Sequence, residues 1–409
     1  MLVALLAVLA LWPKRLHSGG GVNVTVADAA APVGDNGESA AEKARRAAIG
    51  ALGPIKRREG TNAADYYREA IGLYGGLTDD EKKMIAAWRV KGDAKAAAAL
   101  YAKIQPIMEL IRKGRTANYA DWGVGPFTTP DDPSVSMADG AVMNSIRNLA
   151  LMSGWEANYR FGSDPGGALG DLAAEDALGR SGDDRLIGFL IENGVHANAM
   201  SVLAANAGEI SGNGGADLSY LIDPMGVYQG YQAGMNGEAY AFQAMVDGFS
   251  DPATQARVVS FLNQYSHSMG PNNGPVSLSP AQVVSEFQWI EQTEQALGGT
   301  LQESNTQFQP WWTQKEAEAS SMPLATDILD SFSPSRAVAQ NILVRNLMVE
   351  AGLALEQGGQ AQYEAIADPT TGQPFNYVQT AAGFQLTSGF KNSDGKPLTL
   401  DFGTAAGQY

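Results

Sequence analysis

The sequence predicts a mainly α fold: antiparallel helical hairpins in a helical-repeat-like bundle, with a small C-terminal antiparallel β-hairpin or sheet. Three observations predict it. Apolar residues recur at steps of three and four through most of the chain, the period of one helix face. Alanine and glycine are plentiful and β-branched residues few, which favours helix. Apolar–polar alternation, the period of a strand, is confined to the tail. The expected division is a signal or anchor segment over 1–18, a flexible linker over 19–37, a helical domain over 38–334, and a long helix with a β appendage over 335–409.

The chain opens on an apolar run, Met1 to Trp12. It is shorter than the roughly 20 residues of a bilayer-spanning helix and has the length of a signal-peptide core. Lys14 and Arg15 follow the run, whereas a signal places its positive charge first. Two readings stand: an export signal or truncated membrane anchor, and a short helix docked on the body. Gly19 to Gly37, rich in Gly, Ala, Asp and Asn, reads as a tether.

Glu38 to Lys113 reads as a run of helices. Asn62 is an N-cap candidate for a helix whose apolar side carries Tyr66, Tyr67, Ala70, Ile71 and Tyr74. Thr78-Asp79-Asp80-Glu81 is a capping box. A last helix runs through Leu100, Ile104 and Ile111, where Pro106 either kinks it or divides it in two. Asn118 to Ser136, broken by Pro126, Pro130 and Pro133, is a loop. Its Trp122 either forms a binding lip or pins the loop to the core.

Met137 to Ile210 is the stretch on which the other helices should pack. A first helix ends near Phe161; Asp164 then caps a second that opens on Pro165 and closes at Gly179 to Gly182. The third carries Leu186, Phe189, Leu190, Val195, Met200 and Leu203, apolar over much of its circumference, and so should be largely buried. His196 lies on it with Glu192 one turn earlier, close enough to pair. The pair is either a tuned acid–base couple or a core histidine satisfied by a carboxylate. The neighbouring acids Glu175 and Asp176 project about 100° apart on a helix and are not expected to share a site.

Ser211 to Gly234 breaks the helical pattern and places Tyr220, Tyr228 and Tyr231 among Gly and Asp. Tyrosines beside carboxylates suit a sugar-binding surface; Asn213, Asp217 and Asp223 suggest calcium, though not at EF-hand spacing. Helices resume from Met235, and Ser279-Pro280 opens another. Trp311 and Trp312 are adjacent in a Gln-rich segment and face different ways on a helix, so one either lies exposed as a partner surface or packs at the edge of the core. Ser335 to Gln357 is the last long helix.

Composition excludes several classes of function. With no cysteine there is no disulfide, thiolate nucleophile or cysteine zinc site, and His17, His196 and His267 are too few for a multi-histidine metal centre. Residues 1–115 carry a net +6 and residues 116–409 a net −22. So acidic a body argues against nucleic acid as a partner. The basic part, with Lys56-Arg57-Arg58 and Arg112-Lys113, either faces an anionic surface or pairs with the acidic body. No Walker loop, dinucleotide fingerprint, His-Glu-x-x-His or Gly-x-Ser-x-Gly elbow occurs. No cofactor is expected beyond weak calcium candidates in the tail.

That tail alternates at Phe375 to Val378 and Phe384 to Thr387, turns at Ala382-Gly383 and again before Gly395, and reads as antiparallel strands. The run DPTTGQPFNY…GFQLTSGFKNSDGK resembles the C-terminal portion of major pseudopilins of type II secretion, over about residues 335 to 403. The pseudopilin N-terminal Gly-Phe-Thr-Leu-Ile-Glu pattern does not occur in Met1 to Trp12. The resemblance implies a long helix closed by a small sheet, a link to a secretion pseudopilus, and Asp394 and Asp401 as calcium candidates. The whole chain also resembles uncharacterised envelope-associated helical proteins of planctomycete- and verrucomicrobium-type bacteria, which carry helices of the NAADYY and GALGDLAAEDALGR kind.

Together these readings lead to an exported, non-enzymatic scaffold of the bacterial envelope, periplasmic or tethered to the membrane at its N-terminus. It would bind a protein or an envelope polymer through Trp122, Tyr220, Tyr228, Tyr231 and Trp311. The alternatives are a carbohydrate-binding or carbohydrate-active protein using the same aromatics, and a secretion-system component.

Overall fold

A computed structural model of the chain describes residues 59–87, 94–122, 133–182, 186–210, 215–249, 251–253, 255–256, 259, 278–392 and 395–403. The expected signal and linker segments, Lys56-Arg57-Arg58, Asn213, His267 and Asp394 lie outside the described residues. The fold is mainly helical, with one antiparallel three-stranded sheet at its C-terminal end. Among the described residues no helix is long and apolar enough to cross a membrane.

The N-terminal helices are α1 (Ala63–Gly75), α2 (Asp79–Ala86) and α3 (Ala94–Arg115). Asn62 caps α1, its side chain accepting from the Ala64 amide, and Thr78 and Glu81 form the reciprocal capping box of α2. Pro106 sits inside an unbroken α3, which buries Ile104, Ile107 and Met108 around it. Packing on both sides offsets the one backbone hydrogen bond the ring removes.

The central helices are α4 (Pro133–Arg160), α5 (Pro165–Arg180) and α6 (Leu186–Ala205). Asp164 caps α5 by accepting from the Gly167 amide at 3.0 Å. Helix α6 contributes to each of the three apolar clusters of the core. Val195 joins the cluster of α1, α3 and α4; Met200 and Leu203 join that of α5 and the sheet; Phe189 and Leu190 join that of the later helices. A helix apolar over much of its circumference has little solvent face to offer, and the chain largely buries it.

Residues 211–234 correct the expected break. Helix α7 (Gly215–Leu221) and helix α8 (Pro224–Gly248) occupy most of that stretch. Asp223 is the N-cap of α8, accepting from the Gly226 amide at 2.9 Å, with Pro224 as its first residue. A Cβ on Gly234 would lie 3.2 Å from Phe189 Cβ and 3.4 Å from Leu186 Cα. The glycine that read as a breaker is the point where α8 rides on α6.

Helix α9 (Pro280–Gly299) pairs with α8 along its length and is followed by α10 (Asn305–Ala319). The last long helix, α11, runs Pro323–Gly358, one proline-bearing segment earlier than the expected start at Ser335. Pro334 lies within it; Phe332 and Ala339 are buried on either side and hold the helix through the proline. A short helix α12 (Gln360–Glu364) leads to strands β1 (Asn376–Thr380), β2 (Gly383–Lys391) and β3 (Pro397–Phe402) in the order β1-β2-β3. The pairing of Thr380 with Gly383 makes a two-residue hairpin, at the turn the sequence marks. On β2 the alternate residues Phe384, Leu386, Ser388 and Phe390 face inward, so register and burial agree. The sheet closes against α11 where Gly352 lacks a side chain: a Cβ there would lie 2.0 Å from the Phe402 ring.

Candidate functional site

Helix α5 is buried from Ala168 to Gly179 save for Gly170 and Ala177, yet it carries three carboxylates on that buried length, Asp171, Glu175 and Asp176. Ionised groups out of water require partners, and each finds a different kind. Asp171 accepts from Arg112 Nε at 2.6 Å and from Arg160 Nη1 at 2.5 Å. Arg112 also donates to Glu156 Oε1 at 2.9 Å, an oxygen shared with Gln105. Burial and the neighbouring Asp171 push Glu156 up to about 7, against the pull of Gln105 and the two arginines.

One turn on, Glu175 accepts a single hydrogen bond, from Asn198 Nδ2 at 2.8 Å, and its second oxygen has no hydrogen-bond partner. Burial raises its pKa well above the carboxylate range, and the Asp176 charge adds to the rise. Burial thus favours the neutral form of Glu175.

Asp176 is the centre of the arrangement. Its Oδ1 lies 2.6 Å from His196 Nδ1 on α6, and its Oδ2 lies 2.8 Å from Arg180 Nε, an ion-pair contact not aligned as a hydrogen bond. The other imidazole nitrogen, Nε2, is 2.9 Å from Asn346 Nδ2 on α11. Asn346 also donates to Ile342 O at 3.1 Å, so in this orientation Nε2 accepts and the proton sits on Nδ1, toward Asp176. Burial pulls the imidazole pKa down, but the Asp176 charge and its hydrogen bond prevail and hold His196 above 6.5. The imidazolium form requires the Asn346 amide to turn over. Its Oδ1, which has no partner as placed, then accepts from Nε2.

Toward the surface Arg180 lies 3.5 Å from Glu192 Oε1 and over the Tyr220 ring, 4.7 Å from the centroid. Arg115 reaches the same ring at 5.5 Å and pairs with Asp217 at 2.5 Å. Burial and the Asp176 charge push Glu192 up to about 7, opposed by Arg180 and His196.

The structure thus brings together Glu192, His196 and Tyr220, though not as the sequence suggested. The partner of His196 is Asp176, twenty residues away on another helix, and Glu192 faces Arg180. Glu175 and Asp176 do project apart, yet both belong to the centre because α5 is enclosed. The other aromatic candidates lie elsewhere. Trp122 is buried, stacks on Tyr67 and donates from Nε1 to Ser181 O at 2.7 Å, so it pins its loop. Tyr231 is buried beneath Phe189 with its hydroxyl 3.2 Å from Ser335 Oγ, and Tyr228 is half-buried against the same cluster. Trp312 is buried; Trp311 is half-buried against Phe308, so neither indole is fully exposed. Asp401 is occupied by Gln385, whose Nε2 donates at 2.7 Å, and Asp217 by Arg115. Among the described residues no group of three metal-ligating side chains gathers.

Sequence reasoning missed Asp171, Arg180 and Asn346. The Asp176–Arg180 pair carries a signal, the spacing of four residues on one helix. Asn346 is 150 residues from His196 and gives none. No family model, characterised protein or solved structure matches the chain.

Proposed function

We propose that the chain is a non-enzymatic helical scaffold of the bacterial envelope that works by binding other macromolecules. The observation that carries this reading is the use made of His196, the one histidine among the described residues. Both of its nitrogens face partners on other helices, and the ring is buried. The groups best suited to acid–base chemistry are spent in tying α5, α6 and α11 together. The arginines beside them are likewise paired inward, with Asp171 and Asp176. Export and attachment to the envelope rest on the apolar run Met1 to Trp12 and the linker after it.

The test is fractionation of cells expressing the tagged full chain, followed by reversible cross-linking. Recovery in the envelope fraction with a defined partner supports the reading. Release of reducing ends from envelope glycans, abolished by Glu192→Gln, overturns it in favour of a carbohydrate-active enzyme. A secretion-linked role is a second reading. It is favoured by the tail, where α11 leads directly into an antiparallel sheet, the order implied by the pseudopilin resemblance. Co-purification with secretion machinery tests it.

A further inference from the structure

Helices α8 and α9 bury most of their acids and turn amides outward; Asp247, beyond Tyr240 on α8, is exposed and Glu291 on α9 is half-buried. Glu238 on α8 and Glu286 and Glu294 on α9 are buried. The exposed stripe of α8 is Met225, Gln229, Gln232, Ala233, Asn236 and Tyr240, at helical spacing and with no charge between its ends. Met225 is 57 % exposed and Tyr240 72 %, the highest values for large apolar side chains among the described residues. The adjoining helix is rich in amides too: Gln288, Gln292 and Gln295 are exposed on α9, where Gln295 donates to the half-buried Glu291 at 3.2 Å. A Cβ on Gly298 of α9 would lie 3.4 Å from Gln232 Cα, so the two surfaces adjoin. All this lies within the part of the chain whose net charge is −22.

We propose that this charge-free stripe of α8 is the seam of a homodimer, in which α8 packs antiparallel against α8 of a second copy. Two copies so acidic repel each other over most of their surfaces, and a charge-free strip is where they meet without that cost. Loss of charge with retention of Met and Tyr is also the composition of an interface core. The stripe is self-complementary about its own midpoint, as a two-fold axis demands. With the axis between Gln232 and Ala233, Met225 lies opposite Tyr240 of the other copy, and Gln229 opposite Asn236, an amide facing an amide. Ala233 beside the axis lets the backbones approach. From Met225 to Tyr240 the stripe spans about 24 Å of α8. With α9 beside it, at roughly 10 Å per helix, the face covers on the order of 500 Å² per copy. A standard stable interface takes roughly 800 Å² from each partner, so this one suits a weak dimer in equilibrium with monomer. The inference does not rest on the scaffold reading and holds whatever the dimer goes on to bind.

Sedimentation velocity on the full chain over a dilution series tests it. A monomer–dimer equilibrium is expected. Met225→Lys or Tyr240→Glu alone weakens it by about tenfold or more, and the two substitutions in one chain restore it, because opposite charges then face each other across the antiparallel seam. Leu73→Glu, on an exposed residue of α1, leaves it unchanged. The chain has no cysteine, so Ala233→Cys gives a clean second readout: oxidation yields a covalent dimer, whereas Leu73→Cys does not. A monomer at every concentration overturns the proposal. So does a dimer indifferent to the single substitutions, or one that the combined substitution fails to restore. A face that proves to take a different macromolecule while the chain stays monomeric overturns it too.

Discussion

Asp176 Oδ1 lies 2.6 Å from Nδ1 of His196, a contact between two buried side chains on separate helices, and His196 reaches on to Asn346. Three helices are thereby joined through one imidazole. A buried pair need not stabilise a fold relative to apolar residues of the same shape, but losing one partner strands the other. Asp176→Asn is expected to lower unfolding free energy by roughly 3–5 kcal/mol. Urea denaturation followed by circular dichroism reads it. A loss below about 1 kcal/mol, the scale of an ordinary exposed pair, is inconsistent with a centre closed to solvent.

The same centre sets a pH dependence. His196 has a folded pKa above 6.5, so its contribution is fully present below the unfolded value and disappears as pH rises through the folded one. Glu156 and Glu192, raised to about 7, destabilise the fold progressively as pH climbs from 4.5 toward 7, because the unfolded chain releases their protons first. Asp164 and Glu81 have lowered pKa values and contribute stability that is lost under acid. The melting temperature should therefore peak at mildly acidic pH and fall toward pH 8. A His196→Gln variant should show a shallower fall over that range; an unchanged slope contradicts the assignment.

Glu294 is buried on α9, and neither of its carboxyl oxygens has a hydrogen-bond partner. Burial, with Glu238 and Glu291 nearby, raises its pKa well above the carboxylate range. Replacing it with an apolar residue of similar length removes a buried, unsatisfied polar group. Glu294→Met should stabilise the chain by roughly 1–3 kcal/mol. The gain should grow with pH until the wild-type carboxyl ionises. Thermal unfolding of both forms at acidic and alkaline pH checks size and sign together.

Trp122 separates a binding lip from a pinned loop. Trp122→Phe keeps a ring against Tyr67 and loses the bond to Ser181 O, which should cost about 1 kcal/mol. Trp122→Ala should cost roughly 3–5 kcal/mol through the cavity it leaves. Chemical denaturation of both variants orders them; an alanine variant as stable as wild type means that the ring faces solvent.

At Gly352, alanine would place its Cβ within the Phe402 ring. Gly352→Ala should cost roughly 1–3 kcal/mol by overpacking. It should also speed amide exchange selectively in β3, where the sheet lifts from α11. Uniform exchange throughout the molecule contradicts that docking geometry.

Periodicity and caps were enough to read the helical class, the boundaries set by Asn62, Thr78, Asp164 and Ser279, and the alternating tail, because each depends on residues within a turn or a strand of one another. Contacts between distant segments were not legible. Gly234 reads as a breaker until Phe189 is seen beneath it, and Pro334 reads as a boundary until buried neighbours on both sides carry the helix across it. Tyr231 looks like a surface aromatic, and Trp122 could be read as a lip or a pin, because burial belongs to the assembled fold. The charged centre shows the same limit. Local spacing suggested Glu192 for His196, one turn away on the same face. Only the packing of α5, α6 and α11 decided for Asp176 and Asn346, since the free energy of a buried charge is set by the partners that surround it in space.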